Sequence, residues 1–222
     1  NLYVGIFSHD EDVWSTFTDR DSNTWEQEVI ELFIDADGDK KNYLELQVTP
    51  RNTIFDALFT HHRSDLAQAR SWDMKGLETA VYVDGTLNKR DDIDRSYTVE
   101  MLIPFSEVPG VSGTPKPGTT WRINLFRWDQ AKGKRQQASA FSAPIVGDFH
   151  ALEKFGKLIF SEGKPTGKIP RLDPNLIKAP TIKLGQKPNS SIIPGIGNKK
   201  GRSVPTPPNG ADMRPSPTGG AK

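Results

Sequence analysis

Alternation of apolar and polar residues dominates the first three quarters of the chain, and it predicts strands rather than helices. Nine stretches rich in Val, Ile, Phe, Tyr and Trp carry a period of two and are separated by polar loops. Only residues 65–69 and 151–155 favour short helical turns. The predicted strands are 2–8, 28–35, 43–48, 54–59, 77–83, 97–104, 121–128, 138–142 and 157–160. We expect an all-β fold, most simply two packed antiparallel sheets in a jelly-roll-like β-sandwich.

The segment IDADGDKKNY joins the second and third predicted strands through an Asp-Gly turn, as VDGTLNKRDDIDRSY joins the fifth and sixth through a longer connection. In the first hairpin one face is aliphatic and should form core. Its members are Ile30, Leu32 and Ile34, then Leu44, Leu46 and Val48. The opposite face mixes carboxyl, amide and aromatic groups, which suits a surface that touches a polar ligand. Its members are Val29, Glu31 and Phe33, then Tyr43, Glu45 and Gln47.

Charge divides the chain into two unequal parts, although the formal net charge is only +1. Residues 163–222 hold 11 Lys/Arg against 2 Asp/Glu, together with 11 of the 17 prolines. Such a segment cannot bury enough apolar surface to offset chain entropy, so we predict a β-sandwich domain over 1–162 and an extended or disordered tail over 163–222. The remaining body is acidic, which argues against nucleic acid as a ligand because phosphate binding needs a basic face.

Absent residue types and patterns narrow the chemistry further. The chain has no cysteine, which removes disulfides, zinc thiolate sites and a cysteine nucleophile. No apolar run approaches the roughly 18 residues of a membrane helix, so no transmembrane segment is predicted. The sequence opens directly on the strand NLYVGIFS, and we therefore expect that further residues precede Asn1 in the whole protein.

Metal and catalytic motifs are weak. Asp35, Asp37 and Asp39 around Gly38 look like a fragment of a calcium loop, but no bidentate acid follows at the required distance. A plain hairpin turn is the favoured interpretation, with a structural calcium ion as the alternative. The four histidines lack the paired spacing of a zinc site.

Phosphate-loop, nucleophile-elbow and dinucleotide motifs are missing from the sequence. Glu31, Glu45 and Glu100 lie on predicted strands and could form the carboxylate pair of a glycosidase. Nothing marks one of them as the acid and another as the base, so we expect no catalysis.

Aromatic and planar polar residues remain as candidates for ligand binding. Trp25 and Trp128 stand at strand ends, whereas Trp121 at a strand start is predicted to be core. Indole faces pack on the C–H faces of sugar rings, and carboxylate, amide and guanidinium groups bind the hydroxyls. The polar candidates are Glu31, Gln47, Arg51 and Asn52. On physical grounds alone, packing of Trp25 across its own strand is an equally weighted alternative.

The segment DEDVWSTFTDRDSNTWEQEVIELFIDADGDKKNYLELQVTP resembles the family 9 carbohydrate-binding modules. YTVEMLIPFSEV, WRINLFRWD and AFSAPIVGDFHALEKFGKLIF extend the resemblance over about residues 2–160. The resemblance implies a β-sandwich that clamps a sugar between two tryptophans. Trp25 matches the first and Glu31 the acid six residues later, while Arg51 and Asn52 fall near polar ligands of the following strand. Phe141 stands where the second tryptophan would fall, so this clamp would be weaker, with its loss as the alternative.

The same resemblance implies a structural calcium ion in some members and an exported, periplasmic or cell-surface location. A wider related group includes haem-binding domains, which need axial Met, His or Lys. Met101 alternates with Val99 and Ile103 and should be core, and His150 should fix a loop, so haem is not expected. The predicted function is non-catalytic saccharide binding. The alternative is a scaffold or accessory subunit of an extracytoplasmic protein complex, docked through residues 163–222.

Overall fold

The computed structural model describes residues 1–163, and all nine predicted strands form within them. Their observed bounds are β1 Leu2–His9, β2 Val29–Asp35, β3 Tyr43–Val48, β4 Ile54–Phe59, β5 Glu78–Asp84, β6 Ser96–Ile103, β7 Thr120–Asp129, β8 Gln137–Ala140 and β9 Gly156–Ile159. One helical turn, α1 Leu66–Ala69, begins where the side chain of Asp65 accepts a hydrogen bond from the amide of Gln68. Three 3-10 turns complete the elements: Thr24–Glu26, Phe105–Glu107 and Leu152–Lys154.

The strands form two antiparallel sheets, which confirms the predicted all-β fold. The smaller sheet has the order β1-β6-β5. The larger has six strands in the order β4-β3-β2-β7-β8, and β9 also pairs with β7. Both hairpins predicted from the loops are present, since β2 pairs with β3 and β5 with β6. Gly38 adopts φ +74° in the first of them, a left-handed conformation that glycine tolerates best.

The aliphatic face of the first hairpin packs against the smaller sheet, as predicted. Ile30, Leu32 and Ile34 share one buried cluster with Val99 and Ile103 of β6. Trp121 and Met101 are both 2% exposed in the same cluster, so the sequence assigned them correctly to the core.

The opposite face of β2 and β3, which the sequence assigns to contact with a polar ligand, is itself covered by later parts of the chain. Every residue of both strands is buried. A second cluster covers this face, built from strand residues together with Ala69 of α1 and the later segment around residues 149–155. Its buried members are Phe33, Tyr43, Phe55, Ala57, Phe59, Ala69, Phe126, Leu152 and Phe155. The polar side chains of β2 and β3 therefore lie beneath a cover rather than in open water.

The division predicted at residue 162 stays a prediction, because the tail beyond Gly163 lies outside the described residues. Within residues 1–163, no helix combines the length and the apolar character needed to cross a bilayer.

Candidate ligand-binding site

A cavity of about 830 Å³ opens on the covered face of the six-stranded sheet. Its floor comes from β2, β3 and β4, and its sides come from the 3-10 turn at residues 24–26, the loop before α1, the end of β7 and the loop after β8. Aromatic side chains dominate the lining: Trp25, Phe33, Phe55, Phe59, Trp128 and Phe149. This volume falls within the usual range of small-molecule sites.

Trp25 borders the cavity from the 3-10 turn just before β2. Its indole is half-buried and meets the ring of Phe55 edge to face, with centroids 5.5 Å apart. The guanidinium of Arg70 lies 5.8 Å from the centroid of the same indole. The backbone carbonyl of Trp25 accepts a hydrogen bond of 2.8 Å from Nε2 of Gln136. The indole is thus held in place while it still contributes to the cavity wall.

Trp128 approaches the cavity from the end of β7, where it pairs with Val29 of β2. Its ring stacks on Phe149, with a centroid distance of 4.9 Å and an angle of 25°. Phe149 in turn stacks on Phe126 at 3.9 Å and 8°. Phe149 was not among the predicted site residues, although it lies in the DFH segment of the family resemblance.

Glu31 and Glu45 share the floor of the cavity. Glu31 faces Gln47 and Glu45 faces Phe33 in the β2–β3 register, so the two carboxyl groups are diagonal neighbours on one face. Burial raises the pKa of Glu31 well above its usual range, and the charge of Glu45 adds to this effect. Burial raises the pKa of Glu45 to about 7, against the lowering effect of the hydrogen bond from Gln47.

Gln47 supports the site from beneath instead of lining it. This side chain is fully buried, and its Nε2 donates to Glu45 Oε1 at 2.6 Å. Its Oε1 accepts a hydrogen bond from the hydroxyl of Thr24, the residue before Trp25. Gln47 therefore connects the acidic floor to the turn that positions the indole.

His150 connects the same floor to the cover. Its Nδ1 lies 2.6 Å from the hydroxyl of Tyr43, which also accepts a bond from the amide of Arg63. Its Nε2 lies 3.7 Å from Glu45 Oε2. Burial, with the charge of Arg63, lowers the pKa of His150 to about 4, so the imidazole is neutral at pH 7. A Tyr43 hydroxyl that donates to Nδ1 leaves the ring proton on Nε2, facing Glu45.

An ion-pair cluster closes the rim above His150. Arg63 Nη2 and His62 Nε2 each lie 2.7 Å from Asp148. Although burial opposes it, hydrogen bonding from His62 and Arg63 lowers the pKa of Asp148 to about 2. The guanidinium of Arg63 is thereby engaged by a neighbour.

Arg51 and Asn52 do not line the cavity. Both are exposed in the turn between β3 and β4, and Asn52 adopts φ +63°. The side-chain amide of Asn52 bonds to Thr79 of β5, accepting from its hydroxyl at 2.7 Å. The turn reaches toward the smaller sheet, which takes both residues away from Trp25.

Phe141 does not face Trp25 across the cavity, so the two rings do not form the expected clamp. Its ring is 65% exposed and contributes to a separate depression together with Ile30 and Leu125. The reason is the pairing with β7: Ala140 lies opposite Phe126, and the amide of Phe141 donates to the carbonyl of Leu125, so Phe141 shares the face of Leu125. The structure places Trp128 and Phe149, not Phe141, beside the acidic floor, and Trp128 is a hydrogen-bond partner of Glu31.

Asp35, Asp37 and Asp39 do come together in the β2–β3 loop, with one oxygen of each within 4.8 Å of the others. Each carboxylate also accepts a bond from a loop amide, as in Asp35 Oδ1 with the amide of Gly38 at 3.1 Å. The oxygens suit calcium, but the amide bonds also explain the loop without an ion. Calcium binding stays a prediction.

Met101 and His150, the two residues considered for haem, lie on opposite faces of the larger sheet. Met101 belongs to the cluster between the sheets, and His150 lines the cavity on the far side. They do not meet as a ligand pair.

Comparison with known proteins identifies the family to which the chain belongs. Residues 1–163 match the family described as carbohydrate family 9 binding domain-like. A protein of Bacteroides uniformis ATCC 8492, provisionally described as carbohydrate-binding, is 17% identical, with a TM-score of 0.49 and 72% of each chain covered.

A family 9 carbohydrate-binding module of Caldicellulosiruptor kristjanssonii, solved with cellotriose, is 15% identical with a TM-score of 0.46, over 76% of this chain and 74% of that one. A module of the same organism solved with glucose is 14% identical with a TM-score of 0.44, over 77% and 82%. No curated protein sequence gives a significant match.

Proposed function

Because the chain belongs to the carbohydrate family 9 binding domain-like family, we propose that it binds a saccharide, without turnover, in the cavity bordered by Trp25, Glu31 and Trp128. One observation carries the proposal. Three residues chosen from the sequence as sugar ligands converge on one cavity of about 830 Å³, although they are separated by up to about a hundred positions in the chain.

The lining has the two properties that sugar binding requires. Indole and phenyl faces pack against the C–H faces of a pyranose ring, and Trp25 and Trp128 supply such surfaces. Carboxyl groups form strong hydrogen bonds with hydroxyls in a site that excludes water, and Glu31 and Glu45 lie where the sugar edge would reach.

The electrostatics of the floor favour binding over catalysis. A glycosidase needs one carboxylic acid and one carboxylate, held in environments that push their pKa values apart. Here burial raises the pKa of both Glu31 and Glu45. Glu100, the third strand glutamate considered, is exposed on the smaller sheet. Neither carboxyl group is marked as the acid or as the base, which supports binding without cleavage.

A panel of soluble mono- and oligosaccharides, screened by calorimetry against the full chain, tests the proposal. We expect at least one saccharide to bind with micromolar to millimolar affinity and Trp128→Ala to abolish that binding. Tyr82→Ala is the matched control, because Tyr82 is an aromatic side chain that is 67% exposed on the smaller sheet. Binding that survives Trp128→Ala, or the absence of any binding in the panel, contradicts the proposal.

A second role, as an accessory subunit of an extracytoplasmic complex, rests on the sequence alone. The basic, proline-rich residues 163–222 follow an acidic domain, and a long segment of this kind can wrap a partner protein. Pull-down with the full chain and with a chain ending at Glu162 tests this role. Equal recovery of partners by both chains contradicts it.

A further inference from the structure

The floor of the cavity carries two acidic side chains that have no Lys or Arg partner among residues 1–163. Glu31 and Glu45 are 1% and 6% exposed, and neither forms an ion pair with an arginine or lysine of residues 1–163. Of the residues that the structure describes, Arg63 alone adds a Lys or Arg side chain to the lining, and its guanidinium pairs with Asp148 at the rim. Among residues 1–163, the cavity thus offers two carboxyl groups to a ligand and no unpaired Lys or Arg side chain.

We propose that this cavity selects saccharides that carry a free amino group, whose ammonium lies against the carboxylates of Glu31 and Glu45. The inference rests on the proposed saccharide-binding function and names the chemical class of the sugar.

A second feature of the lining points to the same chemistry. Trp25, Phe55 and Phe59 surround the floor on one side and Trp128 and Phe149 on the other. Aromatic faces attract ammonium groups as well as the C–H faces of sugars, and the attraction grows when the cation is desolvated. An amino sugar uses both properties at once, because its ring carbons and its ammonium contact the same set of rings.

Other sugar classes complement the two carboxyl groups of the floor less well. A neutral sugar brings no cation to the floor, so at least one of the two carboxyl groups must stay protonated to avoid like-charge repulsion. A uronic acid would add a third carboxyl group. An ammonium is the only common sugar substituent that compensates two buried carboxylates directly.

The proton balance gives the inference a distinct signature. Because Glu45 has a pKa of about 7 and that of Glu31 is also raised, the empty floor holds at least one proton at neutral pH. An ammonium that binds there displaces this proton to solvent. The other titratable or charged groups that face the floor from the surrounding elements are Tyr43, His62, Arg63, Asp65, Asp148 and His150. His150 is neutral over this range, since its pKa is lowered to about 4.

The test compares sugars that differ only at one carbon. Glucosamine, N-acetylglucosamine and glucose, each as monomer and as β-1,4-linked trimer, are titrated into the full chain at about pH 7 by calorimetry. For the monomers, the trimers or both, we expect the amino sugar to bind about tenfold tighter than glucose and N-acetylglucosamine of the same length. Calorimetric titration in buffers of different ionisation enthalpy should show that the protein releases protons when it binds the amino sugar but not when it binds the other two. This measurement uses the wild-type protein.

Glu45→Gln and Glu31→Gln should each reduce the preference for the amino sugar to about twofold or less. Glu100→Gln is the control, since it removes the same charge from the exposed face of the smaller sheet and should leave the preference unchanged. Equal binding of the three sugars without proton release overturns the inference but leaves saccharide binding intact. Failure of these sugars and of the whole glycan panel overturns both.

Discussion

Trp25 and Phe141 border opposite faces of the six-stranded sheet. Trp25 lines the cavity with Glu31 and Phe33, whereas Phe141 lies beside Ile30 and Leu125. The two-ring clamp implied by the family resemblance is therefore not formed by these residues. In its place, Trp25 faces a cavity whose other aromatic wall is the stack of Trp128 on Phe149.

Trp25 and Phe141 were both predicted from the sequence to clamp the sugar, but their positions in the structure predict different effects of substituting them. Trp25→Ala should weaken binding of the saccharide found in the panel by about 2 kcal/mol, roughly thirtyfold, because the indole forms part of the cavity wall. Phe141→Ala should leave the affinity unchanged. Calorimetry on both variants checks this. A larger loss of affinity for Phe141→Ala than for Trp25→Ala would instead support the clamp of Trp25 and Phe141.

The buried carboxyl pair predicts an unusual pH dependence of stability. Since the folded-state pKa of Glu45 is raised from 4.5 to about 7, its contribution to stability is present at low pH and is lost as the pH rises through 7. Glu45→Gln should therefore be nearly neutral at about pH 5 and stabilise the fold by about 2 kcal/mol at about pH 8.

Urea unfolding of wild type and Glu45→Gln at the two pH values measures this difference. The lowered pKa of His150 acts in the opposite sense between about 4 and 6.5, but it is common to both proteins and largely cancels. An equal effect of Glu45→Gln at both pH values would show that Glu45 is ionised throughout.

Arg127 balances a second group of buried acids away from the cavity. Its Nη2 lies 2.7 Å from Asp10, and burial together with the charge of Asp10 raises the pKa of nearby Glu28 to about 9. Arg127→Met should destabilise the fold by about 3–5 kcal/mol, because it leaves the carboxylate of Asp10 buried without a cationic partner. Adding Asp10→Asn should recover much of the loss in urea unfolding. A double variant no more stable than Arg127→Met contradicts this account.

The hydrogen bonds of the β2–β3 loop predict that calcium does not change the stability of the fold. Because loop amides already bond to Asp35, Asp37 and Asp39, we expect the melting temperature to be the same in millimolar calcium and in chelator. A rise with calcium that Asp37→Asn removes would establish the alternative of a structural ion.

The strands could be predicted because alternation is a local signal. Leu32 beside Glu31, or Leu46 beside Glu45, reports a strand and its two faces without knowledge of the rest of the chain. The burial of the polar face could not be predicted in this way. Glu31 and Glu45 are covered by a segment that contains Phe149, about a hundred residues later in sequence, and no local pattern reveals that contact.

The site was predicted in part for the same reason. Trp25 and Glu31 are fixed by one turn and the strand that follows it, so their proximity is local. Arg51 and Asn52 follow the neighbouring strand, but the direction of their turn is set by a contact with Thr79 of the other sheet. Phe141 depends on the register of β8, a short strand with few apolar residues to specify it.

Indole N–H resonances test the central claim most directly, because Trp25 and Trp128 line the cavity while other tryptophans of the chain lie away from it. The saccharide is titrated into the isotope-labelled full chain and followed by two-dimensional proton–nitrogen spectra. We predict that the Trp25 and Trp128 indole signals shift, while Trp121 in the core and Trp14, whose Nε1 is bonded to the carbonyl of Gln130, stay in place. Stationary Trp25 and Trp128 signals at saturating saccharide would contradict a binding site in this cavity.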